Sequence, residues 1–250
     1  MTWQPVDCHA HSTFSDGALT VSQVVDRVTA LGVVPSLADH ISRDIERSIQ
    51  SVDGVRDYLD ELDRHDILRG GEFCWHDSLW REIPDDVAHR FTHRLGSLHA
   101  VRLSDGRHVH AFSRRLPEGL DVRTYMAAHL ASLETLVSEM PVDIVAHPTL
   151  VTIPFRALPR DELWTEEHET RMVEALYNAG IAFEISSRYP PHERIVRRAV
   201  ERGVRVSLGS DGHTIDQVGD VRRPLALARA LGVSDDAIYD PRKHGSKSRS

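Results

Sequence analysis

Residues 193–213 read ERIVRRAVERGVRVSLGSDGH, and the fold follows from how this stretch is punctuated. Glu193 to Arg202 reads as a helix stopped by Gly203, and Val204 to Leu208 as a short apolar strand. Two metal-ligand residue types, Asp211 and His213, follow the strand directly. The same succession recurs along the chain. Trp3 to Cys8 is a candidate strand. Thr20 and Gln23 make a capping box that opens a helix closed by Gly32. Val33 to Ala38 is a strand, Ile45 to Arg64 a charged helical stretch and Ile67 to Arg69 a strand. Arg94 to Leu98 is a strand, and Val101 to Phe112 a hairpin around Asp105–Gly106. Val122 to Met140 is helical, Val142 to Ala146 a strand, Thr165 to Asn178 a helix stopped by Gly180, and Ile181 to Ile185 a strand. Pro224 to Leu231 is the final helix. Strands alternating with helices predict an α/β fold with a parallel sheet and crossover helices. About seven core strands favour a closed, barrel-like arrangement.

Each strand is followed by the same kind of residue. His9, His11 and Asp16 follow the first, Asp39 and His40 the second, Glu72 the third, His99 the fourth and His147 the fifth. Glu184 lies in the sixth, and Asp211 and His213 follow the seventh. In a parallel barrel the C-terminal ends of all strands open onto one face. Leaving out Asp39 and Glu184, nine imidazole and carboxylate ligands converge there, more than one ion needs, so two or three divalent ions (Zn, Mn or Fe) are expected.

Composition narrows the chemistry. The chain of 250 residues carries a formal net charge of −8, which argues against an extended nucleic-acid surface. Two cysteines cannot build a disulfide scaffold. No apolar run approaches the ~20 residues of a membrane span, and no secretory signal is visible, so the cytoplasm is the expected compartment. Of 30 basic residues only Lys243 and Lys247 are lysines, which excludes Schiff-base, P-loop and carboxylated-lysine chemistry from residues 1–242. Residues 1–239 are expected to form one barrel domain and residues 240–250 a disordered basic tail.

Several motifs resemble those of the PHP (polymerase and histidinol phosphatase) family of metallo-phosphoesterases. They are Asp7-Cys-His9-Ala-His11-Ser12 with Ser15-Asp16-Gly17, Ala38-Asp39-His40, Gly71-Glu72, Gly96-Ser97-Leu98-His99, Val145-Ala146-His147-Pro148 and Gly209-Ser210-Asp211-Gly212-His213. The resemblance implies a distorted (β/α)7 TIM-like barrel with a trinuclear site at the C-terminal ends of its strands. It places His9, His11, Glu72 and Asp211 on one metal, Asp16, His40 and His213 on a second, and Glu72, His99 and His147 on a third. Some family members have His where this chain has Asp16, and the carboxylate shifts preference toward harder ions such as Mn or Fe.

The expected activity is hydrolysis of a small phosphomonoester, histidinol phosphate-like, by attack of metal-bound hydroxide. Three divalent ions bring +6 and Asp16, Glu72 and Asp211 return −3, so the pocket favours a small anionic substrate. Arg188, Asp211 and His213 are the candidate catalytic residues. Arg188 either forks onto two phosphate oxygens or is a surface arginine paired with Glu184 or Glu193. Glu184 is expected to orient a neighbouring ligand. His108 and His110, on one face of the hairpin, are candidates to line the entrance, whereas His76, His89, His93 and His129 are expected at the surface or behind the ligands. Histidinol phosphatases commonly carry an asparagine-containing stretch where this chain reads Ser186-Ser187-Arg188-Tyr189-Pro190, which leaves the substrate's leaving group open. Two other readings stand beside the phosphatase: hydrolysis of an amide or lactone bond, and a non-catalytic metal-binding module.

Overall fold

The computed structural model describes residues 3–247. Six strands form a parallel sheet in the spatial order Val206–Gly209, Ala182–Ser186, Ile144–Ala146, Leu95–Ser97, Glu72–Cys74 and His40–Ile41. Two of these run on from shorter pieces, Ser36–Leu37 and Leu68–Arg69, which pair with each other. The segment 6–11 closes the ring. On one side Cys8 N–H donates to Leu208 O, Asp211 N–H to His9 O and His11 N–H to Gly212 O. On the other, Val34 N–H donates to Pro5 O and Ala38 N–H to Ala10 O. The result is a distorted (β/α)7 barrel, seven strand positions around.

Why the barrel is distorted is visible in its hydrogen bonds. The expected strand Trp3 to Cys8 is reduced to bridges at Val6 and Ala10. The second and third strands are interrupted at 38–39 and 70–71, so each ligand-bearing end is set off from the strand that leads to it.

Two apolar layers hold the ring. Inside it, Val6, Cys8, Ala38, Leu95, Ile144, Ala146 and Ala182 pack together, with Tyr239 closing the lower end. The outer layer lies between the strands and the surrounding helices Val21–Ala30, Val52–Leu62, Val122–Glu139, Glu166–Ala179, Glu193–Arg202 and Arg222–Ala230. Thr20 and Gln23 make the expected capping box. Gly180 and Gly203 end their helices in the left-handed conformation, at φ +62° and +91°.

Two expectations are corrected. The helix expected over Ile45 to Arg64 is shorter, Val52–Leu62. Ser48 Oγ donates instead to Ser42 O and Ile45 O, Ile49 bridges Ile41, and Ser51 caps the helix through Gly54 N–H. The tail expected to be disordered is docked from Asp240 to Lys247. Pro241–His244 is a helical turn, and Asp240 is buried and accepts from Arg242 N–H. Ser246 Oγ and Lys247 N–H donate to Asp143 at 3.0 and 2.6 Å. Polar composition misled here because the segment is held by hydrogen bonds to a buried carboxylate rather than by apolar area. The rest of that tail, residues 248–250, lies outside the described residues.

Candidate metal centre

All nine residues expected to ligate metal meet at the C-terminal mouth of the barrel. Glu72 is at their middle, 0% exposed. Its Oε2 lies 2.5 Å from His40 Nδ1, 3.4 Å from His9 Nε2 and 3.9 Å from His11 Nε2. Its Oε1 lies 3.1 Å from His147 Nε2 and 3.3 Å from His99 Nε2. One carboxylate thus faces two groups of imidazoles, one per oxygen, which is the arrangement a bridging ligand requires. His11, Asp16, His40 and His213 form a further group, as do His9, His11 and Asp211. The grouping by proximity differs in detail from the one the motifs imply, since His40 lies with Glu72 and His99 as well as with Asp16 and His213.

The donor set fits metal. Glu72 Oε2 and Asp16 Oδ1 lie 2.5 and 3.1 Å from the imidazole nitrogens of His40 and His213 without hydrogen-bond alignment, and His11 Nδ1 is buried without a partner, a condition that costs free energy unless something else meets those lone pairs. His9 Nε2 and His11 Nε2 face each other at 3.1 Å. Burial alone would push the Glu72 carboxyl up, but His40, His99 and His9 outweigh it and hold it well below the usual range. Burial and the neighbouring His40 hold His11 down to about 3, and burial lowers His99 well below the ordinary histidine value. Against the opposing effect of burial, Glu184 and Glu72 raise His9 and Glu72 raises His40, so protons on these two imidazoles are what a divalent ion would displace.

The surrounding residues fix these ligands. Glu184 Oε1 is 2.8 Å from His9 Nδ1, and its Oε2 accepts His147 N–H, so one carboxylate orients two ligands. Gly209 makes room for it, because a Cβ there would lie 2.0 Å from Glu184 Oε1 and 2.9 Å from His9 Cβ. Cys74 Sγ and Ser97 Oγ lie 3.1 and 3.3 Å from His99 Nδ1. Burial pushes the Cys74 thiol well up, which suits a supporting role and not a nucleophile. His147 and Asp211 adopt left-handed backbone conformations, φ +30° and +49°, without being glycine. Strain of this kind, of order 1–3 kcal/mol per residue, collects at functional sites.

Two aspartates that follow the same sequence pattern do something else. Asp39 accepts from Ser12 N–H and Oγ at 2.8 Å each and from Ser15 Oγ at 2.5 Å. Asp7 accepts from Ser210 N–H, Ser210 Oγ and Gly219 N–H at 2.8, 2.6 and 2.9 Å. Each ties the ligand loop of an adjacent strand in place. Burial pushes Asp7 up to about 6 and raises Asp39 as well.

Arg188 sits at the mouth, its Nη1 2.5 Å from His213 Nδ1 and 3.4 Å from Asp211 O. It is not paired with Glu184 or Glu193, which meet His9 and Arg197 instead. His93 and His129, expected at the surface or behind the ligands, are instead core histidines, 0% and 1% exposed. His93 Nε2 meets Cys8 O, and His129 packs edge-on to Trp164. Sequence reasoning missed a wall beside the centre. Phe112, half exposed, lies 6.0 Å from the His99 ring, and Tyr189 lies edge-on to His147 at 5.6 Å. Arg156, held by Val151 O and Ala111 O, lies over both rings at 5.3 and 5.6 Å. No local signal marks Phe112 or Arg156, since each sits in a loop between elements.

Compared with known proteins, the chain matches no family model. It superposes on histidinol phosphate phosphatase from Lactococcus lactis subsp. lactis Il1403, solved with zinc, L-histidinol and phosphate, at a TM-score of 0.68 over 95% of each chain, with 16% identity. The chain has the PHP-type fold. In sequence the chain is 24% identical over 234 residues to DNA polymerase/3'-5' exonuclease PolX of Bacillus subtilis (strain 168), spanning 89% of its own length and 36% of that protein. A two-domain protein of Bacteroides vulgatus ATCC 8482, described as containing a predicted PHP-like metal-dependent phosphoesterase, matches at a TM-score of 0.40 and 18% identity, over 86% of this chain and 53% of that one. Among the described residues no helix is long and apolar enough to cross a membrane.

Proposed function

We propose that this chain is a metal-dependent phosphoesterase of PHP type acting on a small phosphomonoester, with histidinol phosphate the first substrate to try. The observation that carries the reading is Glu72: one fully buried carboxylate facing five imidazoles, two on one oxygen and three on the other. His9, His11, Asp16, His40, Glu72, His99, His147, Asp211 and His213 would hold two to three divalent ions. Such ions lower the pKa of water and neutralise phosphoryl charge. The remaining roles belong to this chain's own side chains. Glu184 keeps His9 and His147 in their ligating orientation. Arg188, beside Asp211 and His213, offers a planar two-pronged donor to phosphoryl oxygens. Phe112, Tyr189 and Arg156 present a flat surface beside His99 and His147 for a planar leaving group. Residues 1–242 contain no lysine, so the positive field of the mouth would come from metal and arginine on a chain that is acidic overall.

A hydrolysis panel with metal-reconstituted protein tests the reading, with histidinol phosphate, nucleotides, sugar phosphates, an amide and a lactone side by side. Turnover of phosphomonoesters, fastest with a planar leaving group, is expected. Turnover of the amide or lactone with no phosphate released from any ester would overturn it in favour of carbonyl hydrolysis, and no turnover at all would favour a binding module.

A further inference from the structure

A second group of ligand side chains stands on the rim of the mouth, outside the nine just described. Asp44 lies just beyond the strand His40–Ile41, His76 just beyond Glu72–Cys74, and His108 and His110 alternate on the hairpin strand His108–His110. In that hairpin Arg102 pairs with His108 and Ala100 with His110, which puts both histidines on the same face. His76 Nε2 lies 2.7 Å from Asp44 Oδ2, and His110 Nε2 lies 3.7 Å from the same oxygen. The His76 ring is 5.4 Å from that of His110 and 5.9 Å from that of His108. His76 is 3% exposed in its side chain and its Nδ1 has no hydrogen-bond partner, whereas Asp44 and His110 are 48% and 46% exposed.

Three imidazoles brought together from two elements, against a single carboxylate, need a reason. Burial, with His76 and His110 beside it, lowers the pKa of His108. The nearest arginine on the Asp44 loop, Arg43, is engaged with Glu82. The carboxylate is therefore left to the histidines. We propose that Asp44, His76 and His110, with His108 as a fourth donor, form a separate single-ion site for a late first-row divalent cation such as zinc or copper. Imidazole and carboxylate donors suit that class. Bonds of 2.0–2.1 Å in tetrahedral geometry set ligand atoms about 3.3 Å apart. The Asp44–His76 contact must open by about 0.6 Å and the Asp44–His110 contact close by about 0.4 Å, movements within reach of two half-exposed side chains. His76 is the fixed ligand and the other two adapt to it. Because Asp44 and His110 are half exposed, an ion held here would exchange with solvent more readily than ions held by the buried centre.

The test compares the full chain with Asp44→Ala/His110→Ala and, as a control on the buried centre, with Glu72→Gln. Both rim substitutions are at exposed positions, and circular dichroism verifies that the fold is kept. After saturation with zinc and equilibrium dialysis, the wild type is expected to hold one ion more than the double variant. Added Cu2+ is expected to give Glu72→Gln an electron paramagnetic resonance signal with nitrogen hyperfine structure, and adding Asp44→Ala/His110→Ala to Glu72→Gln is expected to remove one copper equivalent from that signal. His110→Ala alone should weaken the rim site at least about 100-fold, the upper end of what losing even a supporting partner costs. Equal stoichiometry in wild type and double variant, or a copper signal of Glu72→Gln that keeps its full intensity when the two rim substitutions are added, overturns the proposal. Should the multinuclear centre itself be misassigned, total metal falls in every chain but the difference of one ion between wild type and double variant remains.

Discussion

The floor and the mouth of the barrel both bury carboxylates, and they treat them differently. At the floor Asp143 accepts from Arg94 N–H at 2.7 Å, Ser246 Oγ at 3.0 Å and Lys247 N–H at 2.6 Å. Every partner is a fixed donor of the chain, so the group is complete as it stands. At the mouth Glu72 has imidazoles around it, and its Oε2 makes no aligned hydrogen bond to any of them. The first arrangement fastens the C-terminal segment to the barrel, and the second is finished only by a cation. A buried carboxylate is therefore informative through what surrounds it: amides and hydroxyls signal fastening, crowded imidazoles signal ligation. Asp7 and Asp39 show that the two kinds coexist within the mouth itself.

The strongest way to break this contrast is Glu72→Gln. It is expected to lose bound metal and to lower kcat/KM for a phosphomonoester by roughly 10³-fold or more, as removal of several kcal/mol of charge stabilisation demands. Full metal content with normal turnover, from elemental analysis and kinetics on the same preparation, would place Glu72 with the fastening carboxylates. Arg188→Ala comes next. It should leave metal content unchanged, because a guanidinium cannot ligate a cation, and lower kcat/KM by roughly 10²–10³-fold. Arg188→Lys should recover only part of that loss. An alanine variant as active as wild type would make Arg188 a surface residue.

The floor should respond in stability and not in chemistry. Asp143→Ala leaves one buried and two half-buried donors without their acceptor and is expected to cost about 2–3 kcal/mol, a fall in Tm of roughly 4–12 °C, with kcat unchanged. A variant of normal Tm that loses activity would reverse the roles of the two ends. The smallest effect concerns His129, a core histidine outside the nine ligand residues. Burial holds it down to about 4. The unfolded chain takes up the proton near pH 6.5 while the folded chain refuses it until about pH 4, so stability falls as pH falls through that window. His129→Phe should flatten the loss between pH 7 and pH 5 by about 2 kcal/mol relative to wild type in denaturant titrations. An identical pH profile would mean His129 is protonated in the folded state.

Much of this was legible in the sequence because barrels of this class write their sites into a repeating order. A residue just past a strand end reaches the mouth whatever the helix between, so His9, His40, Glu72, His99, His147 and Asp211 were found without knowing any distance. The roles of Asp7 and Asp39 were not, since they depend on Ser210 and Ser12, and the Asp7–Ser210 contact crosses 203 residues. Phe112 and Arg156 were missed for a related reason. Periodicity describes faces of regular elements, and these two act from loops whose course is set by long-range contacts. His93 and His129 were placed too far out because a histidine buried neutral among apolar groups looks, in sequence, like any other polar residue. The docked tail escaped notice because its anchor, Asp143, lies about a hundred positions away.

The docking of that tail has a practical side. Lys243 and Lys247 are the lysines of the chain. Both lie at the floor, where Lys243 Nζ pairs with Asp236 at 3.0 Å and Lys247 Nζ donates to Ala179 O. An activated ester or aldehyde that seeks ε-amines therefore finds them at the end of the barrel away from the nine ligand residues. A bead, dye or sensor surface coupled through those amines would carry every molecule with its open end facing outward.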